Sequence, residues 1–254
     1  MTTTLQGTVA LVTGASSGIG EATARLLASD GVAVALVARR KDRLETLATE
    51  IAEAGGRAIA LDIDITEAEG AIAAVERTVA ELGRLDTLVN NAGVMLLGPA
   101  LDAPLAEWEQ MVELNVLALL RVSHAALPHL VTAAGDGTRQ VADIVNISST
   151  AGRAPRLGSG VYNLTKFGIG AFSESLRQEI TSRFVRVSLV EPGMTATELR
   201  SHVRPDVLAQ MSGRLADVTA LEAADIADAV HYIVTRRRDV AVNEMLIRPT
   251  TQSS

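Results

Sequence analysis

The stretch Thr13-Gly14-Ala15-Ser16-Ser17-Gly18-Ile19-Gly20 constrains this chain more than any other. An apolar run, Thr8 to Val12, ends at it, and a helix-like segment, Glu21 to Ser29, follows it. A strand that turns through glycines into a helix suits a dinucleotide pyrophosphate. The glycines let the backbone turn tightly and approach the phosphates, and the helix presents free amides and its positive dipole end to the charge. Gly14, Ser16, Ser17, Gly18, Ile19 and Gly20 are therefore the candidate phosphate-side residues. Their spacing, Gly-x-x-x-Gly-x-Gly, is longer between the first two glycines than G-x-G-x-x-G. Taken alone, such a cluster also fits a merely flexible turn.

The rest of the chain repeats the same alternation. Short apolar β-rich runs occur at Val9–Val12, Val32–Val37, Ala58–Leu61, Thr87–Asn90, Asp143–Ile147, Val185–Val190 and Glu244–Ile247. Between them lie segments of helical period near Gly18–Ser29, Asp42–Ala54, Glu67–Leu82, Leu105–Ala133, Val161–Arg183, Glu198–Met211 and Ala223–Thr235. This pattern predicts an α/β fold, a Rossmann-like doubly wound parallel sheet of about seven strands with helices on both faces. No Pro/Ser-rich linker or internal repeat divides the 254 residues, so one domain is expected. Thr66-Glu67-Ala68-Glu69 has the form of a capping box, and Ala134–Thr138 reads as a surface loop. Gly168 and Gly170 each weaken a strong helix pattern by about 1 kcal/mol, which suggests close backbone packing, plausibly against another subunit.

Composition narrows the classes. At 48% hydrophobic and 21% charged residues, the chain is ordinary globular material. No uninterrupted apolar run approaches the roughly 18 residues of a membrane span, and the N-terminus lacks a secretion signal. With no cysteine there is no disulfide, thiol nucleophile or Cys-ligated metal, so a cytoplasmic location is expected. A formal charge of −7 argues against nucleic acid as a partner. Arg236-Arg237-Arg238 reads as a solvated helix end, and the four scattered histidines as structural or surface residues without a metal.

Tyr162 and Lys166 are four apart at the start of a predicted helix, hence on one face. Ser149 follows the strand Asp143–Ile147. In open α/β sheets, ligands bind beyond the carboxyl ends of the strands. The glycine turn, Asn91-Ala92-Gly93, Ser149 and Pro192-Gly193 all follow such ends, so four separated segments assemble one cleft.

Together these residues resemble the short-chain dehydrogenase/reductase family in its single-domain branch, from about Leu5 to Thr250. The matching motifs are Thr13-Gly14-x-x-x-Gly18-x-Gly20, Asn90-Asn91-Ala92-Gly93, Asn115, Ser149, Tyr162-x-x-x-Lys166 and Pro192-Gly193-x-x-x-Thr197. The Ala134–Thr138 region stretches the usual Asn115-to-Ser149 spacing.

The resemblance implies reduction of a ketone or aldehyde, or the reverse, with Tyr162 as general acid/base. A phenol has an ordinary pKa of about 10, and the Lys166 ammonium is expected to lower it. Ser149 would hold the substrate oxygen, Lys166 the nicotinamide ribose, and Asn115 a proton-relaying water. Asp64 and Ile65 would border the adenine, Asn91-Ala92-Gly93 the adenosine ribose, and Pro192-Gly193 the nicotinamide. Thr195 and Thr197 would bond its carboxamide and the pyrophosphate, and 197–215 would form a substrate lid. A homotetramer or homodimer is implied as well.

Met95–Pro99, Glu191-Pro192-Gly193 and Ile247–Thr250 further resemble NADPH-dependent reductases that include clavulanate-aldehyde reductase and 3-hydroxy-acid dehydrogenases. A catalytically idle dinucleotide sensor or scaffold, or an epimerase with recycled NAD, is the competing class. The intact Ser149, Tyr162 and Lys166 oppose the first. The short chain after Pro192 opposes the second.

Cofactor choice turns on the end of the second strand. NAD-dependent relatives place an acid there, whereas Ala38 stands here, followed by Arg39-Arg40. Without the acid, nothing repels a 2′-phosphate, and a guanidinium adds a partner for it. Lys41 and Arg43 crowd the same helix start, where the dipole opposes cations. The expected cofactor is NADP(H), with Arg39 in direct contact and Arg40 on the adenine face.

Overall fold

The computed structural model describes residues 4–137, 139–211 and 218–252. Seven strands form one sheet: β1 Val9–Thr13, β2 Ala33–Ala38, β3 Arg57–Asp62, β4 Thr87–Asn90, β5 Ala142–Ile147, β6 Val185–Pro192 and β7 Glu244–Ile247. Their order is β3-β2-β1-β4-β5-β6-β7 and every pairing is parallel. The helices are α1 Gly18–Ser29, α2 Lys41–Glu53, α3 Ala68–Leu82, α4 Leu105–Val112, α5 Leu119–Asp136, α6 Gly160–Ile180, α7 Pro205–Met211 and α8 Ala223–Val234.

Strand alternation builds two cores from one sheet. In β1, Ala10 and Val12 point into the cluster with Leu27, Leu44, Ile51, Val230 and Ile233 of α1, α2 and α8. Val9 and Leu11 point into the opposite cluster, with Val75, Val122, Leu130 and Leu176 of α3, α5 and α6. Both faces are covered, so the strands are apolar on both sides. The chain winds outward in both directions from β1 and β4, and the loops leaving those strands diverge to open a crevice.

Four local expectations change. Thr66 does not cap α3: the N-cap is Glu67, and the Thr66 hydroxyl donates instead to Asp64 Oδ1 at 2.7 Å. Ala134 to Asp136 are not loop but the last turn of α5, because Ala133 and Ala134 are buried against the core. Thr138 lies outside the described residues. The segment Glu198–Met211 is not one helix; a 3₁₀ turn, Glu198–His202, precedes α7, which begins at Pro205. Proline fits a first helical position and disfavours helical geometry in the residue before it. Arg236 and Arg238 are not simply solvated, since their guanidiniums cover the rings of Tyr232 and Phe184 at 4.0 and 3.6 Å.

Helices α4 and α5 are joined without a break by a π-helical turn, Glu113–Ala118. Leu105–Asp136 is thus long and apolar enough to cross a membrane, with a mean hydropathy of 1.4 over its best window. In this fold it packs on the sheet, burying Leu119, Val122, Ala126 and Leu130.

Candidate active site

The crevice holds a cavity of about 640 Å³ beyond the carboxyl ends of the strands. Gly14, Ser16, Ser17, Gly18, Ile19, Arg39, Arg40, Asp64, Ile65, Asn91, Ala92, Gly93, Ser149, Tyr162, Lys166, Pro192, Gly193, Thr195 and Thr197 all line it. Two expected residues do not: Gly20 and Asn115 act from behind the wall.

The glycine turn is held by its neighbours. Gly14 has φ +66°, and a Cβ there would sit 2.9 Å from Ala92 Cα. A Cβ on Gly20 would come within 2.4 Å of the Gly14 carbonyl, so Gly20 is required by the packing of α1 on the turn. Thr13 Oγ1 accepts from the backbone N–H groups of Asn91 and Ala92 at 3.0 and 3.1 Å. The Asn91 amide donates to Thr13 O at 3.0 Å. The two loops beside the switch between β1 and β4 are therefore one rigid unit, an open cradle where side chains would intrude. It fits a dinucleotide diphosphate.

At one end stand the arginines. Arg40 donates to Ser16 Oγ at 3.0 Å, Ser17 Oγ at 2.6 Å and Glu198 Oε2 at 2.6 Å. The Ser17 hydroxyl, at the N-cap of α1, caps no amide and goes to Arg40. Arg43 meets the same Glu198 at 2.7 Å, and together the arginines hold the Glu198 carboxyl down to about 2. The crowding of cations at the start of α2 is thus relieved by a carboxylate from the lid, which the sequence reading missed. Arg39 is exposed, with Asp64 as its partner at 3.7 Å. The Asp64 carboxyl lies below its ordinary value: burial opposes this, but hydrogen bonds from Thr66 and the Arg39 charge outweigh it.

At the other end lie Ser149, Tyr162 and Lys166. Tyr162 and Lys166 share a face of α6 and are 6% and 7% exposed. Lys166 Nζ donates to the Ile147 carbonyl, the last of β5, at 2.9 Å and lies 5.8 Å from the Tyr162 ring centroid. Ser149 Oγ accepts from Ala151 N–H at 3.1 Å, which leaves its proton to face the Tyr162 hydroxyl and favour the phenolate.

The expected lowering of the tyrosine does not occur in the protein alone. Burial pushes Tyr162 up to about 12, with Ser149 opposing weakly, and pushes Lys166 down to about 8. Removing charge from water outweighs the attraction between the two groups at this separation.

Asn115 sits in the π turn, 1% exposed. Its Oδ1 accepts from Val94 N–H at 2.8 Å, and its amide donates to Val94 O and Thr165 Oγ1 at 2.9 and 3.2 Å. The side chain ties the loop after β4 to the tyrosine's helix. Gly193 likewise serves a neighbour: a Cβ there would meet Gln252 Oε1 at 2.4 Å, and that oxygen accepts from Met194 N–H at 2.8 Å. Thr195 donates to Gly193 O at 3.1 Å, and Thr197 caps the following turn by accepting from Leu199 N–H at 3.4 Å.

Beyond Glu198 and Gln252, the sequence reading missed a buried ladder below the site. Asn90 donates to Ser123 Oγ and Asn146 Oδ1, both at 2.9 Å, and Asn146 donates to Ser173 Oγ at 2.8 Å. It pins the ends of β4 and β5 to α5 and α6. Two asparagines ending adjacent strands were its one visible signal. His202, read as a structural or surface residue within the expected lid, lines the cavity. Of the expected lid, Ser212 to Leu215 lie outside the described residues.

Known proteins are similar to this chain in sequence and fold. A family model described as short chain dehydrogenase matches residues 8–208. Sulfoacetaldehyde reductase 2 of Chromohalobacter salexigens is 36% identical over 247 residues, 96% of this chain and 95% of that one. A segment of glycine betaine reductase of Emericella nidulans is 37% identical; it covers 96% of this chain but only 19% of that protein's length. The closed form of a serine dehydrogenase complexed with NADP+ superposes with a TM-score of 0.87 at 31% identity, covering 97% of this chain and 96% of that one. The chain belongs to the short chain dehydrogenase family.

Proposed function

We propose that this protein is an NADP(H)-dependent oxidoreductase that interconverts a small carbonyl compound and its alcohol. The observation that carries the reading is the trio Ser149, Tyr162 and Lys166 in one cavity with an arginine-rich dinucleotide cradle. Solved relatives bound to NADP+ and relatives named for serine and sulfoacetaldehyde support it.

When bound, the cofactor supplies or accepts the hydride. Arg39, Arg40 and Ser16 would hold its 2′-phosphate end, the glycine turn its diphosphate, and Lys166 its ribose. Ser149 donates to the carbonyl oxygen and fixes it beside Tyr162. Tyr162 remains protonated at neutral pH and delivers its hydroxyl proton as negative charge develops on that oxygen. Lys166, fastened to the end of β5, presents its ammonium to the resulting phenolate. An idle sensor has no use for this set.

The reading extends to a single domain, to the cytoplasm and to a homodimer or homotetramer. On the outer face of α6, Leu164 and Phe167 are 61% and 43% exposed. A Cβ on neighbouring Gly168 would meet nothing within 4 Å, so no contact inside the chain requires that glycine. Sedimentation as a stable monomer at micromolar concentration would remove this part.

The central test is Tyr162→Phe assayed by NADPH absorbance against a panel of aldehydes and ketones. Turnover should fall by roughly 100- to 10,000-fold with NADPH affinity nearly intact. Near-normal turnover on every accepted carbonyl would overturn the assignment.

A further inference from the structure

The charged residues that line the cavity fall into two groups. Its lining contains two carboxylates, Asp64 and Glu198. Both are taken up at the glycine-turn end, by Arg39 and by Arg40 with Arg43. The same lining includes Arg156, Arg200 and His202, which neither carboxylate meets.

These side chains are anchored to the tyrosine's surroundings. Asn163, directly after Tyr162, clamps the Arg156 loop in the amide orientation that satisfies both its partners. It accepts from Arg156 N–H at 2.8 Å and donates to Ser159 O at 3.1 Å. Ser159 N–H donates to Arg156 O at 3.2 Å, and Gly98 N–H to Gly158 O at 2.9 Å. The Arg156 backbone is thus fixed while its guanidinium makes no hydrogen bond or ion pair among the described residues. Arg200 belongs to the turn Glu198–His202, whose first residue is pinned to Arg40 and Arg43. Val203, just beyond that turn, packs in the apolar cluster that contains Tyr162. Among the described residues the one hydrogen bond of the Arg200 guanidinium is to the Met194 sulfur, at 3.7 Å.

Arg57, Arg183, Arg236, Arg237, Arg238 and Arg248 also meet no carboxylate among the described residues, but none of them lines the cavity, whereas the other two arginines in its lining, Arg39 and Arg40, do meet carboxylates. Among the described residues the guanidiniums of Arg156 and Arg200 meet no carboxylate, and both line the same cavity as apolar Leu96, Leu97 and Val203. A planar guanidinium is matched in geometry and charge by a carboxylate or sulfonate.

We propose that Arg156 and Arg200, with His202 as a further donor, form an anion subsite for the substrate. The substrate is then a short carbonyl compound, or its alcohol, that carries a carboxylate or sulfonate. The inference rests on the oxidoreductase reading above and deepens it.

The test uses full-length wild type and the Arg156→Gln/Arg200→Gln double variant with NADPH. Matched substrates are succinate semialdehyde against butanal, and sulfoacetaldehyde against propanal. The wild type should favour an anionic member by roughly tenfold or more in kcat/KM, and the double variant should lose most of that ratio through KM. Whichever acid gives the larger ratio identifies the preferred anion. A wild-type ratio near one, or a ratio unchanged in the variant, overturns the subsite. If no carbonyl compound reacts, the oxidoreductase reading fails, and calorimetric titration with succinate and ethanesulfonate decides the subsite separately. Binding weakened in the double variant upholds it; equal binding, or none to wild type, overturns it. Matching thermal unfolding of the two proteins keeps misfolding from imitating the result.

Discussion

The two ends of the same sheet bury charge in opposite ways. At the amino end, Asp143 of β5 is fully buried and receives Arg186 at 2.7 and 3.0 Å and Arg139 at 3.0 Å. Arg186 also donates to the carbonyls of Val234, Arg236, Arg237 and Val240, which close the end of α8. Asp86, just before β4, takes two bonds from Arg84 and one from Val9 N–H. At the carboxyl end, Lys166 is also buried but meets a neutral carbonyl and no carboxylate among the described residues. Pairing offsets much of the desolvation at one end, although two buried nitrogens of Arg139 keep no partner among the described residues; at the other end the desolvation of Tyr162 and Lys166 displaces their acidities. The amino end ties β4, β5, β6 and α8 together through paired charges, while the carboxyl end keeps a buried ammonium without a carboxylate partner among the described residues.

The strongest way to break this comparison is Asp143→Ala. It leaves two buried guanidiniums without their acid and should lower stability by about 3–5 kcal/mol in urea unfolding. Activity per folded molecule should hold. A loss below about 1 kcal/mol would mean that the pair contributes little beyond a surface ion pair.

Lys166→Met should act in the opposite sense, abolishing turnover yet raising stability by about 2–3 kcal/mol at neutral pH. The sign follows from protons. Folded Lys166 titrates at about 8, below its ordinary value. Between these two values the unfolded chain binds the extra proton, so wild-type stability rises with pH there. The penalty is fully present below pH 8, and the gap between wild type and variant should narrow from pH 8 to 10. Tyr162, raised to about 12, lowers stability only above its unfolded value and leaves that window clear. A gap that stays constant from pH 7 to 10 would show that the lysine is not desolvated as described.

A smaller effect separates the arginine end from the catalytic end. Arg39→Ala should weaken NADPH binding by about 10- to 150-fold and NADH binding little. Equal losses for both cofactors would remove Arg39 from the phosphate. Smallest is Glu198→Gln, which releases Arg40 and Arg43 from an exposed pair and should tighten NADPH by a few-fold. Unchanged or weaker binding would show that Glu198 does not compete with the phosphate.

What the sequence carried was local and periodic. Alternating apolar runs gave all seven strands within one or two residues. The glycine turn, Asn91-Ala92-Gly93, Ser149 and the Tyr162/Lys166 pair were legible because each follows a strand end or repeats a helix spacing. Boundaries failed where a short-range rule met a longer-range contact, as when Thr66 turned to Asp64 and Ala134 to the core.

The tertiary structure decided the rest. Glu198 reaches Arg40 across 158 positions, and Gln252 reaches Met194 across 58. The side chain of Asn115, expected at the reaction, was claimed by Val94 and Thr165. The acidities of Tyr162 and Lys166 were set by burial, which depends on everything packed around them. Sequence spacing encodes which residues share a face or follow a strand end, because the backbone repeats fix both. Which charge meets which, and how much water remains between them, depends on distances through space that no periodicity records.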